Sequence, residues 1–114
     1  QGSILHPGSS ATLPLMRGTC PTHMILCHIA RNNSLRSLEN IKIPDLKKFI
    51  DLNEQLASVI GTYPNAKVLG VALNTIEMEY NEALEMIKKV EENTGLPATD
   101  VIRYGGDKIF DELL

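Results

Sequence analysis

The chain has 114 residues, 43% hydrophobic and 22% charged, with a formal net charge of -3. That is the size of one domain with a modest core and an ordinary soluble balance. Its 11 basic residues are scattered, without aromatic residues between them, which argues against nucleic acid as a partner; the longest apolar run, around "MILC", is far too short to span a membrane.

The opening "QGSILHPG" reads as a loop at the carboxyl end of a strand. "SSATLPLMRG" follows as a short helix, with Ser9 or Ser10 as N-cap and Gly18 as the stop. Cys20 and Cys27 stand near His23 and His28. The pattern C-x-x-H-x-x-x-C-H matches no common zinc spacing, and no secretory segment accompanies the cysteines. Two reduced thiols and no metal are expected. "THMILCHIA" has the length and apolarity of a buried strand. "RNNSLRSLENIKI" has no sustained period and reads as a loop, with Arg31, Asn32 and Asn33 just past the strand end.

"IPDLKKFIDLNEQLASVIG" is the clearest helix. Pro44 opens it, Leu46, Phe49, Ile50, Asn53, Leu56, Ala57 and Ile60 form one stripe, and Gly61 ends it. "AKVLGVALNT" reads as a strand apolar on both faces, with Gly70 marking a close approach. "MEYNEALEMIKKVEENTG" is a second amphipathic helix, striped by Tyr80, Ala83, Leu84, Ile87 and Val90. Gly95 caps it and Pro97 prevents continuation. "TDVIRYG" reads as a short third strand and "GDKIFDELL" as a final helix beginning near Asp107.

Alternation of strands and helices predicts an α/β fold: a three-layer parallel sheet with helices on both faces and right-handed crossovers. In such sheets ligands sit beyond the carboxyl ends of the strands. The polar residues of interest follow those ends. His6 can serve as a general base or carboxylate ligand, or simply as a loop histidine bonding a backbone carbonyl. Ser3 offers a hydroxyl to a substrate, but no base lies near it in sequence for nucleophilic catalysis. His28 can act as a base or sit as a half-buried strand-end histidine. Arg31 can clamp a carboxylate or phosphate. Asn74 and Thr75 can contact a ligand or cap a turn. Arg103, Tyr104 and Asp107 surround Gly105 and Gly106, which read as a tight turn. His6, Arg31 and Asn74 are expected to approach a common cleft.

The segments "QGSILHPG", "LCHIAR", "VLGVALNT" and "TGLPATDVIRYGGD" resemble, in order and spacing, the C-terminal part of the DgcN-like family, long described as a domain of unknown function. Some of its members are named D-glutamate (D-amino-acid) N-acetyltransferases. The resemblance implies a P-loop nucleotide hydrolase-like fold, similar to dethiobiotin synthetase, of which residues 1–114 form the C-terminal part as a single domain. It also implies a glycine-rich phosphate loop upstream, and no G-x-x-x-x-G-K-[ST] occurs within these residues. The family tends to have "CHEPGR" where this chain has "CHIAR", so the loop carrying Arg31 departs from the pattern.

The implied activity is N-acetyl transfer to a D-amino acid such as D-glutamate, or a related nucleotide-dependent reaction. The alternative is a non-catalytic, nucleotide-responsive binding or assembly module. His6 and His28 are the expected catalytic residues; Ser3, Arg31, Asn74 and Thr75 are the expected substrate or nucleotide ligands. Acetyl-CoA or ATP with Mg would serve the full-length protein, with neither expected on these residues alone. The expected partners are the N-terminal half or a second copy, and a small carboxylated substrate, in the cytoplasm.

Overall fold

The computed structural model describes residues 3–31, 34–35 and 38–114. Gln1, Gly2, Asn32, Asn33, Arg36 and Ser37 lie outside the described residues. The chain divides into two compact units, Gln1–His23 with Asn33–Lys67, and Met24–Asn32 with Val68–Leu114.

In the first unit, helix α1 (Thr12–Gly18) occupies the predicted short helix despite Pro14; proline is tolerated there because it stands in the first turn. The segment read as a loop instead contains an antiparallel pair, β2 (Ser34–Leu35) and β3 (Leu38–Lys42), with Ser34 opposite Lys42 and Leu35 opposite Leu38. Two residues are too few for an alternation to register in sequence, and the pairing is irregular between Ser34 and Leu35. Helix α2 (Leu46–Ser58) starts two residues after Pro44, the expected opening residue. Asp45 is the N-cap, its Oδ2 accepting from the Lys48 N–H at 3.3 Å. Leu46, Ile50 and Ala57 are buried as the stripe requires. The helix stops before the expected Gly61, because Val59 and Ile60 already have positive φ (49° and 53°). Ile60 is therefore outside the helix and exposed.

The second unit carries a parallel three-stranded sheet flanked by helices, in the order β1 (His23–Ile29), β4 (Lys67–Asn74), β5 (Ala98–Thr99). Val71 pairs with Ala98 and Ala72 with Thr99, while the Ala30 N–H donates to the Asn74 carbonyl at 3.0 Å beyond the end of β1. β4 is the central strand, and Val68, Val71 and Leu73 are buried along it. β1 is not buried on both faces as expected. It alternates strictly, with Met24, Leu26 and His28 half-buried and Ile25, Cys27 and Ile29 exposed. An unbroken apolar run specifies a strand but does not say whether both its faces are covered.

Helix α3 (Tyr80–Thr94) buries Ala83, Ile87 and Val90 and ends at Gly95, whose φ of 72° is the left-handed cap the sequence predicts. Tyr80 and Leu84 of its predicted stripe remain exposed. The predicted third strand is shorter than "TDVIRYG": only Ala98–Thr99 pair, and the chain then turns into α4 (Val101–Tyr104). α5 (Asp107–Phe110) and a 3-10 turn (Asp111–Leu113) complete the fold. Gly70 is where the final helix comes close. A Cβ there would lie 2.7 Å from the Pro97 carbonyl oxygen and 2.9 Å from Ile109 Cγ1.

Candidate functional site

At the carboxyl ends of β1 and β4, beside the start of α4, the second unit opens into a pocket of about 520 Å³. That volume is ordinary for a small-molecule site, and its position is where open α/β sheets bind ligands. β1 contributes Cys27, His28 and Ile29. β4 and the residues after it contribute Ala72, Leu73, Asn74 and Ile76. The third wall is the run Asp100–Arg103.

Asp100 fixes that wall. Its carboxylate is buried and accepts four hydrogen bonds. Oδ1 takes the N–H groups of Ile102 (3.0 Å) and Arg103 (3.2 Å), capping α4. Oδ2 takes the N–H and the hydroxyl of Thr75 (3.0 and 2.5 Å). Burial pushes the Asp100 pKa up, but the Thr75 hydroxyl, the Thr75 N–H and the two α4 N–H groups outweigh it and hold the carboxyl below its ordinary value. Asp100 is therefore an anion at neutral pH. Arg103 locks the same corner: Nη2 donates to the carbonyls of Thr75 (2.8 Å) and Met78 (2.5 Å), and Nε lies 3.8 Å from Asp100 Oδ2.

His28 lines the pocket from β1. Burial lowers its pKa, so the imidazole is neutral at pH 7 and can accept a proton. Its ring makes no hydrogen bond among the described residues, leaving both nitrogens available to a ligand. Asn74 uses Oδ1 to accept from the Ile76 N–H at 3.0 Å, the turn-capping role open to it in sequence, while its Nδ2 amino group remains a donor at the pocket wall.

The other sequence-derived candidates are not among the residues lining this pocket. Ser3 and His6 belong to the first unit, where each serves a local turn. Ser3 Oγ accepts from the Leu5 N–H (3.1 Å) and His6 Nδ1 from the Gly8 N–H (2.9 Å). His6 thus accepts from a backbone N–H rather than donating to a carbonyl. Arg31 is exposed and paired with Glu82 on α3 at 2.5 Å; it does not line the main pocket. Thr75 is buried with its hydroxyl committed to Asp100. Of the expected site residues, the pocket brings together His28, expected as catalytic, and Asn74, expected as a ligand.

Sequence reading missed Asp100 as a site residue. The available signal was an aspartate directly before the apolar pair Val101-Ile102 and the Gly105-Gly106 stop, an N-cap pattern hidden inside a segment read as a strand. Cys20 and Cys27 are free, exposed thiols. Among the described residues no group of three or more His, Cys, Asp or Glu could hold a metal ion, and no helix is long and apolar enough to cross a membrane. The described residues also offer no glycine-rich phosphate cradle, and the two arginines nearest the strand ends are engaged. They do not fit a nucleotide triphosphate.

The chain resembles proteins of this architecture along nearly its whole length. It is 33% identical over 114 residues to a protein named D-glutamate N-acetyltransferase from Tritonibacter scottomollicae, covering 99% of this chain and 34% of that one. It is 29% identical, with the same coverage, to a protein of that name from a Pseudoalteromonas species. The chain thus spans about a third of the length of the curated relatives it matches. The crystal structure of a DUF1611 family protein from Anabaena variabilis superposes with a TM-score of 0.95 at 43% identity, over 99% of this chain and 33% of that one. The family model described as "Domain of unknown function (DUF1611_C) P-loop domain" matches residues 1–110, and with this fold and these relatives the chain belongs to the DUF1611 family, within its C-terminal P-loop domain.

Proposed function

We propose that this chain is part of an N-acetyltransferase that acylates the amine of a D-amino acid, D-glutamate in the first instance. The observation that carries the reading is the half-buried His28, without a ring hydrogen bond among the described residues, in a pocket at the strand ends, in a chain related along its length to proteins of that name. Acetyl transfer from a thioester forms a C–N bond, breaks a C–S bond and releases a thiol. The attacking amine must first lose a proton, and His28 can accept it at a ring nitrogen. The Asn74 Nδ2 group can donate to the oxygen on which negative charge develops. Asp100, fully hydrogen-bonded, holds the loop after β4 and the start of α4 in place and does not exchange protons at neutral pH. A thioester donor and an amino-acid acceptor agree with a cytoplasmic setting.

Thiol release from acetyl-CoA, measured with the full-length protein, tests the reading. Release dependent on D-glutamate and much weaker with L-glutamate supports it. Hydrolysis of ATP without thiol release would favour the nucleotide-responsive module instead.

A further inference from the structure

We infer that the pocket between β1, β4 and α4 receives the uncharged thioester arm of the acyl donor, and that the carboxylates of the acceptor are bound elsewhere. This assignment rests on the acetyltransferase reading and names which substrate the pocket takes.

Charge decides it first. Among the described residues lining the pocket, Arg103 is the sole cation, and its Nη2 is spent on the carbonyls of Thr75 and Met78. Its Nε faces Asp100, an anion in the same wall. The next cation along, Arg31, is held by Glu82. A dicarboxylate in the pocket would therefore place two negative charges near Asp100, against a single lining guanidinium already shared between that anion and two carbonyls, and carboxylates taken out of water without enough partners are strongly disfavoured.

The surface points the same way. Ile102 is 95% exposed and Ile76 79% exposed, with Ile29 at 48%. All three line the pocket, so its rim is apolar side chain standing in water, the mark of a surface that is covered in use. The polar groups that remain are the His28 imidazole, the Asn74 amide and the Cys27 thiol. Neutral donors and acceptors set among apolar walls suit amides, methylenes and a thioester carbonyl. Those are the groups of a pantetheine-type arm and not of a small amino diacid.

The test uses the protein with isoleucine methyl groups labelled with carbon-13, titrated separately with pantetheine and with D-glutamate. Pantetheine is expected to shift the methyl signals of Ile29, Ile76 and Ile102, leaving buried Ile87 and Ile50 in place, while D-glutamate leaves all five unmoved. Shifts of the three rim methyls by D-glutamate, or no shift with pantetheine, would overturn the assignment. Turnover measured on the same preparation separates the two readings. Pantetheine shifts without acetyl transfer would keep the pocket as a site for a pantetheine-type arm and remove the acetyltransferase reading; acetyl transfer with rim shifts from D-glutamate would keep that reading and remove the assignment.

Ile102→Asp gives a second measure, at an exposed position where folding is not at stake. Loss of one apolar contact of this size is expected to raise the KM for the donor by about tenfold or more while the KM for D-glutamate stays within about twofold. The opposite split would contradict the assignment.

Discussion

Thr75 donates both its backbone N–H and its hydroxyl to Oδ2 of Asp100, at 3.0 and 2.5 Å, tying together two residues 25 positions apart. The same carboxylate caps α4 through Oδ1. One buried side chain thus holds the end of β4 against the start of α4, and those two elements form most of the pocket wall. Asp100→Ala would leave four donors without their acceptor. A loss of about 2–4 kcal/mol is expected from the charged hydrogen bonds and the cap together, read by urea denaturation. Asp100→Asn should lose less, since one amide oxygen can still accept.

Stability should also fall in acid through this residue. The folded-state pKa of Asp100 is depressed, so its contribution is complete above the unfolded value of about 3.9 and is lost as pH falls through the folded one. Glu91 adds to the same trend. Burial opposes its ionisation, but the Ala98 N–H and Lys108 outweigh that and lower its pKa as well. Melting temperatures measured between pH 7 and pH 3 should drop in the acid limb, and Asp100→Asn should flatten that limb.

The sequence made much of this visible, and for identifiable reasons. The long periodic helices α2 and α3 declared themselves through stripes such as Ala83, Ile87 and Val90, all buried. β4 declared itself as an apolar run, and Gly70 as a close approach that the carbonyl of Pro97 makes real. What failed was short or depended on neighbours far along the chain. β2 has two residues. The shift from strand to helix at Asp100 carried a local N-cap signal, but the hold of Asp100 on Thr75, 25 residues away, lies beyond any local pattern. His28 and Asn74 could be placed at strand ends because parallel topology follows from alternation. The engagement of Arg31 by Glu82, 51 residues away, could not be read from either residue.

Gly70→Ala should be costly although alanine is small. Its Cβ would meet backbone at 2.7 Å and Ile109 at 2.9 Å, so strand or helix must move. Overpacking of this kind is expected to destabilise by about 1–3 kcal/mol, against a few tenths for the same change at Gly18, where a Cβ meets nothing within 4 Å. Parallel denaturation curves of the two variants check the contrast.

Arg31→Gln should barely change the melting curve. Both partners of the Arg31–Glu82 pair are about half exposed, and such surface pairs contribute within about 1 kcal/mol. A double-mutant cycle with Glu82→Gln measures the coupling. A coupling energy well above that range would mean the pair is an essential brace.

The 114-residue chain alone is expected to self-associate. Ile25 and Ile29 stand exposed on β1, which lies at one side of the β1-β4-β5 order, and an apolar outer strand recruits further chain. Light scattering at increasing concentration should detect this, and Ile25→Lys should reduce it. A concentration-independent monomer mass for the unaltered chain would contradict the expectation.

The most direct test of acetyl transfer at this pocket is the pH dependence of turnover in the full-length protein, compared with His28→Gln. The burial-lowered pKa of His28 means that kcat/KM for D-glutamate should rise with pH through a value below that of an ordinary histidine and then level off. His28→Gln should lose about 10²- to 10⁴-fold in kcat, with that limb abolished and the KM for D-glutamate little changed. Wild-type rate and an unchanged pH profile in His28→Gln would place the chemistry outside this pocket.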